Sequence, residues 1–173
     1  MKLADFVMKA VNAALIDQLR NRLGPKGVTT NPDDIAPWLT DWRNLYHGAS
    51  SALLSPATTQ EVADTVRMAA LAGVSLVPQG GNTSMVGGAT PMPDGKALIL
   101  SLRRMNAIRH IDAGAASIVA EAGVILAHLH DSALAAGLRF PLTLGGKGSA
   151  TIGGLVSTNA GGTQVLRFGT MRN

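Results

Sequence analysis

Sixteen of the twenty glycines in this 173-residue chain lie between Gly80 and Gly169. No other feature limits the fold as strongly. Glycine permits positive φ and removes the Cβ, so dense glycine marks tight turns and places where backbone amides converge. The clusters follow no three-residue period, which excludes a collagen-like chain. Apolar runs separate them, which excludes a low-complexity linker. With 46% apolar residues and only 3% aromatic ones, the core must be filled by Ala, Leu, Val and Ile.

Several function classes fall away at once. There is no cysteine, so the chain offers no disulfide scaffold, thiolate zinc site, iron–sulfur cluster or thiol nucleophile. Cysteine-free composition fits a reducing compartment, and we expect a cytoplasmic protein, free or peripheral to the inner membrane. No apolar run is long enough to span a bilayer. Asp5 and Asp17 interrupt the apolar start, and no small-residue cleavage site follows, so it does not read as a signal peptide. The net charge of +4 arises wholly after Asp131, where Arg139, Lys147, Arg167 and Arg172 stand without an acid. Four dispersed cations with few aromatics argue against a nucleic-acid surface; they suit a bound anion or an acidic partner segment.

The pattern of elements is α+β. Leu3, Phe6, Val7, Ala10, Val11, Ala14, Leu15, Leu19 and Leu23 recur at helical spacing, and Gly24-Pro25 stops the helix. Asn31 to Asp34 reads as a turn, and Ile35 to Leu45 as a short helix whose Trp38, Trp42 and Tyr46 pack on the main body. Ala52 to Ser55 is an expected strand. Thr58 and Glu61 form a capping box for a helix running to Ala72 and ending at Gly73. Strands are expected at Val74 to Val77, Ala97 to Leu102 and Ser117 to Ala122, and a helix at Ile125 to Ala136 with Gly137 as its stop. Arg139 to Leu144 is extended around Pro141, and the remainder alternates glycine clusters with short β-prone pieces. Domains are expected at 1–48, a helical extension, and 49–173.

Two long polar glycine loops carry the chemistry. The first is Pro78-Gln79-Gly80-Gly81-Asn82-Thr83-Ser84-Met85-Val86-Gly87-Gly88; the second runs from Gly145 to Gly162. Neither contains an acid, and Thr83, Ser84, Ser149, Thr151 and Thr158 add hydroxyls, a combination suited to phosphate. Lys147 is followed by Gly148, so the Walker A pattern fails. Gly146 and Gly148 begin a dinucleotide fingerprint, but Thr151 takes its third glycine position. The residues alone leave the ligand unnamed.

Val77 to Thr83 followed by Val86-Gly87-Gly88, and Lys147-Gly148-Ser149 through Ile152-Gly153-Gly154 to Ser157–Gly162, resemble the two flavin loops of the FAD-linked oxidases of the vanillyl-alcohol-oxidase type, with their PCMH-type FAD-binding domain. Asp41-Trp42 near Tyr46, the Ser55-Pro56 to Glu61-Val62 helix start and Arg104-Met105-Asn106 extend the likeness. Within that family it is nearest the D-2-hydroxyglutarate, D-lactate and glycolate dehydrogenases. The resemblance implies two α/β subdomains holding FAD, with the chain truncated within the second and substrate and C-terminal domains lying beyond it. It implies cofactor contacts at Pro78, Gln79, Gly80, Gly81, Asn82, Thr83, Ser84, Gly87, Gly88, Pro141, Leu142, Gly148, Ser149, Thr151, Gly153, Gly154, Thr158, Asn159 and Ala160. Gln79 stands where relatives often carry Arg. Several relatives tether flavin through a His directly after the Gly-Gly pair; Asn82 stands there, implying noncovalent FAD.

The resemblance further implies an N-terminal fragment whose whole protein oxidises a small-molecule D-2-hydroxy acid and passes electrons to a carrier or quinone. The family's catalytic His, metal ligands and substrate-binding Arg fall beyond this chain, so no catalytic or metal residue is assigned. A non-catalytic fragment and a non-flavin phosphate-binding module are the alternatives. Among the remaining residues, His128 and His130 are spaced to point apart on a helix, Arg103-Arg104 reads as a solvated strand end, and Glu121 as a paired structural carboxylate.

Overall fold

A computed structural model describes residues 11–172, in two units that divide between Arg104 and Met105. The first helix, α1 (Ala13–Leu23), starts where Asn12 turns extended and its Oδ1 accepts from the Leu15 amide at 2.8 Å. The helix therefore does not include residue 12; the stripe expected at Leu3 to Ala10 lies outside the described residues. Gly24 ends α1 at φ 71°. Leu15, Leu19 and Leu23 are buried, and each fully buried leucine contributes about 1.5–3 kcal/mol.

The first unit is built on a four-stranded sheet of β1 (Val28–Thr29), β2 (Leu53–Leu54), β3 (Ser75–Pro78) and β4 (Ala97–Leu100). Its order is β1-β2-β4-β3; β2, β4 and β3 run parallel and β1 antiparallel. Strand alternation divides the core. Leu54, Leu98 and Leu100 face α1, while Leu53 and Ile99 face Ile35, Trp38 and Leu39. Covered on both faces, β4 is buried throughout, as parallel strands require. The crossover helix α3 (Thr59–Ala72) packs with α1, and Arg22 Nε reaches Asp64 Oδ2 at 2.7 Å. Thr58 accepts from the Glu61 amide as expected, but the Glu61 carboxylate accepts from Ala57 N–H and not from Thr58.

Between β1 and β2 the structure departs from the expected helix over Ile35 to Leu45. A single turn, α2 (Pro32–Ile35), passes into a 3₁₀ turn at Ala36–Trp38. Helix then gives way to a hairpin closed by Gly48 N–H to Leu39 O and Asp41 N–H to Tyr46 O. The reason is local: Asp41 captures the amides of Leu45 and Tyr46, which a helix would direct at carbonyls. Arg103-Arg104 is likewise not a free strand end. The Arg104 guanidinium donates to Ser55 O at 2.8 Å, and that of Arg103 lies over Trp38.

The second unit holds a two-stranded antiparallel sheet, β5 (Ile108–Asp112) and β6 (Ser117–Ala120), and the helix α4 (Leu126–Ala135). The sequence pattern overlooked β5 because its alternation is broken by a bulge between Ile108 and His110. The stretch expected as short β-prone pieces contains helices, α5 (Ile152–Ser157) and α6 (Val165–Phe168). Val124, Leu126, Leu129, Leu142, Ala150, Ile152 and Leu155 form this unit's core.

Candidate functional site

The first glycine loop leaves the carboxyl end of β3, the edge strand next to β4. Pro78 closes that strand at the sheet edge, where its missing N–H costs no ladder bond. Gln79 is buried at 3% exposure, and its Nε2 donates to Trp38 O at 2.9 Å and Ala89 O at 2.7 Å. That amide bridges the base of the loop, so residues 80–88 form a closed bow.

The hairpin at residues 39–48 then grips the bow along its length. Asn82 Nδ2 donates to Thr40 O at 2.8 Å, Trp42 Nε1 to Ser84 O at 3.1 Å, and Arg43 Nη2 to Met85 O. A Cβ on Gly87, at φ 71°, would meet the Tyr46 ring at 2.8 Å, so only glycine fits there. Trp42 and Tyr46 were expected to pack on the main body; they stand 59% and 44% exposed and serve this grip. Asn82 sits at φ 51°, a left-handed conformation that asparagine tolerates better than most residues.

Every contact in the grip uses a loop carbonyl, a loop side chain or a ring, and none uses a loop amide. Among the described residues, no backbone N–H from Gly80 to Gly88 donates to a protein acceptor. Asn82 Oδ1 is buried without a partner. A Cβ on Gly88 would meet nothing within 4 Å. The donors suit phosphate oxygens, and the one orphaned acceptor suits an N–H or O–H of the same ligand. FAD carries both kinds of group, so the residues present fit it.

The second loop is arranged differently. Amides of α4 and α5 are capped by the opposite segment: Leu126 N–H donates to Ala150 O, Ala127 N–H to Lys147 O, Ile152 N–H to Val124 O and Gly153 N–H to Ala122 O. This answers the missing side-chain caps of both helices. A Cβ on Gly153 would lie 2.8 Å from Ala122 Cβ, so this glycine permits close packing. The Gly154 carbonyl accepts from Thr158 Oγ1 at 2.9 Å. Asn159, at φ 50°, accepts from Thr170 Oγ1 and Arg172 N–H, while Ala160 O accepts from Met171 N–H. A Cβ on Gly148 meets nothing and Thr151 Oγ1 caps no amide, while Ser149 spends its N–H on Gly146 O at 3.0 Å, leaving its hydroxyl as the group it can offer. Leu142 is buried beside Pro141, its carbonyl accepting from His130 Nε2 at 2.9 Å.

Among the described residues, three carboxylates are perturbed. Burial pushes Asp41 up, but the amides of Tyr46, Leu45 and Arg43 and the Arg43 charge outweigh it, so its pKa lies below the ordinary aspartate value. The Arg22 hydrogen bond lowers Asp64. The Ala107 amide and Arg109 lower Glu121, which pairs with Arg109 Nη2 at 2.6 Å. Among the described residues, no group of three or more His, Asp or Glu is placed to hold a metal, and no helix is long and apolar enough to cross a membrane.

A family model described as FAD binding domain matches residues 50–173. The chain is 43% identical over 151 residues to a bovine (Bos taurus) mitochondrial D-2-hydroxyglutarate dehydrogenase, covering 87% of this chain and 27% of that protein. It is 38% identical over 156 residues to the mitochondrial D-2-hydroxyglutarate dehydrogenase of Arabidopsis thaliana, covering 90% and 28%. The chain therefore spans little more than a quarter of these relatives. Among solved structures, alkyldihydroxyacetonephosphate synthase matches with a TM-score of 0.83 at 18% identity, covering 98% of this chain and 34% of that one. At that identity the likeness concerns the fold.

Proposed function

The chain belongs to the FAD binding domain family, and from that premise we propose that it holds FAD noncovalently for a dehydrogenase acting on a D-2-hydroxy acid. The observation that carries this reading is the row of unpartnered amides from Gly80 to Gly88 on a braced loop. Gly80, Gly81, Thr83, Ser84, Gly87 and Gly88 would offer N–H and hydroxyl donors to the pyrophosphate. Pro78 and Gln79 would act by shaping the loop, while Asn82 would brace it through Nδ2 and offer its orphaned Oδ1 to the ligand. Gly148, Ser149 and Thr151 would offer the open donors of the second loop. Pro141, Leu142, Gly153, Gly154, Thr158, Asn159 and Ala160 would form and support the wall beside them.

Bound FAD supplies a two-electron acceptor, and the protein's part is to orient it and tune its surroundings. Asn82 has no nucleophile for a covalent flavin bond. Acid precipitation of flavin-loaded protein is expected to leave all the flavin in the supernatant; colour in the washed pellet would reject the noncovalent reading. A titration of FAD fluorescence with the purified chain tests binding itself. Binding of inorganic pyrophosphate with no preference for FAD would favour a general phosphate module.

For the whole protein we propose D-2-hydroxyglutarate as first substrate, on the strength of the relatives' names, with D-lactate and glycolate as the other candidates. The proton-abstracting base would lie beyond this chain, and a carrier or quinone would take the electrons. Dye-linked assay of a form carrying the downstream segments ranks the three acids. The named relatives are mitochondrial, so cell fractionation decides between that organelle and the cytoplasm.

A further inference from the structure

Asp41 is buried to 4% exposure beneath a hairpin whose Trp42, Leu45 and Tyr46 are exposed. Its Oδ1 accepts from the amides of Leu45 and Tyr46, both at 2.7 Å. Its Oδ2 faces Arg43, accepting from the Arg43 amide at 3.3 Å and standing 3.6 Å from Nε, an ion pair without a hydrogen bond. The other end of that guanidinium holds Met85 O. Asp41 thus lies one residue away, through Arg43, from the bow whose amides are open. Its polar partners are the amides of Arg43, Leu45 and Tyr46 and the Arg43 side chain, none of them in residues 80–88.

We propose that Asp41 is a positioning residue for the cofactor: through the fork of Arg43 it fixes the shape of residues 80–88. A carboxylate has acceptor capacity on both oxygens, and here one oxygen shapes the hairpin while the other aims the guanidinium. Arginine can serve two acceptors at once along its rigid fork; lysine cannot. Holding a loop in its binding shape lowers the ordering cost at binding, so the gain is read as affinity. The inference rests on the pyrophosphate reading of the loop, but part of its test does not.

The discriminating variants are Asp41→Asn and Arg43→Lys in the whole chain. Asparagine keeps an oxygen for Leu45 and Tyr46 but turns an NH₂ toward Arg43. Lysine keeps the charge but loses the fork. Without ligand, each is expected to shift the Trp42 indole N–H resonance and to speed thermolysin cleavage at the exposed Met85-Val86 pair several-fold, with amide protection of β4 retained. With FAD, each is expected to weaken binding about tenfold, and the double variant no further than the weaker single. Arg43→Lys sits at a part-exposed position, so it tests the idea even if Asp41→Asn misfolds. Wild-type cleavage and indole resonance in Arg43→Lys would overturn the proposal, whatever FAD does. Loosened variants together with a wild-type chain that ignores FAD would leave the clasp standing and reject the flavin reading. Normal FAD affinity in loosened variants would show that loop shape does not govern binding and would also overturn it.

Discussion

The two glycine loops are nearly alike in composition and opposite in construction. Residues 80–88 keep their amides open, because the hairpin at 39–48 holds them by carbonyls and side chains. Residues 145–162 use many of their amides and carbonyls to cap α4 and α5 against each other. In the first loop glycine leaves a surface for a ligand. In the second, Gly153 and Gly162 let backbone pass where a Cβ would strike Ala122 and the Thr143 carbonyl. Glycine content alone therefore does not identify an anion site; the fate of the amides does.

The sharpest way to break this contrast is a side chain at each loop's glycines. Gly162→Val is expected to have the largest effect, because its Cβ would collide with the Thr143 backbone oxygen. Overpacking of this kind costs about 1–3 kcal/mol, and more where backbone must move. Urea unfolding monitored in the second unit should shift strongly, and an unchanged midpoint would refute the packing role.

Gly81→Val should do the reverse: a side chain there would stand among the open amides and lower FAD affinity about tenfold or more, a loss of about 1.4 kcal/mol per tenfold, while leaving unfolding nearly unchanged. Gly95 is unsuited as its control, since it sits at φ 67° and any side chain there is strained. Gly114 is not left-handed and has room, so Gly114→Ala should alter neither reading.

A smaller effect separates the two asparagines. Each occupies the left-handed region, so Asn→Gly relieves the backbone requirement and isolates the side-chain bonds. Asn82→Gly loses one bond, to Thr40 O, and should weaken FAD binding at a cost of about 1 kcal/mol. Asn159→Gly loses the acceptor for Thr170 and Arg172 and should instead lower thermal stability. Equal effects of both on FAD would remove the distinction between the loops.

The smallest expected effect is acid dependence. Glu121 has a folded pKa below its ordinary value, so the folded state favours its charged form. Its contribution is fully present above the unfolded glutamate pKa and is lost as pH falls through the lower, folded one. Glu121→Gln should flatten the acid limb of second-unit unfolding slightly and leave FAD binding at neutral pH alone; an unchanged limb would count against the assignment.

Much of this was legible in the residues. Thr58 at a helix start and Gly24 and Gly73 at helix ends act through neighbours a few positions away, and the apolar runs at Leu53–Leu54 and Ala97–Leu100 read as strands from their own composition although they pair with distant partners. Local sequence encodes local bonds, so these elements fell close to where periodicity put them. The same holds for the loops as motifs, since their match to the family depends on order and spacing alone.

What tertiary structure decided is which groups remain available. Trp42 and Tyr46 at helical spacing suggested a packed helix face, yet Asp41 captures two amides and turns that stretch into a hairpin. The stretch holding Gly153-Gly154 reads as glycine clusters between β-prone pieces, yet carbonyls of Ala122 and Val124 support a helix start there. The sequence marks Gln79 and Asn82 as loop residues, and only the fold shows their amide nitrogens braced on Trp38, Ala89 and Thr40. The Asp41 capture is local, whereas the α5 start and the bracing of Gln79 on Trp38 and of Asn82 on Thr40 depend on partners far along the chain. A one-dimensional pattern records that an amide or carboxylate exists; only the folded chain fixes what it is bonded to, and hence whether it is left to bind a ligand.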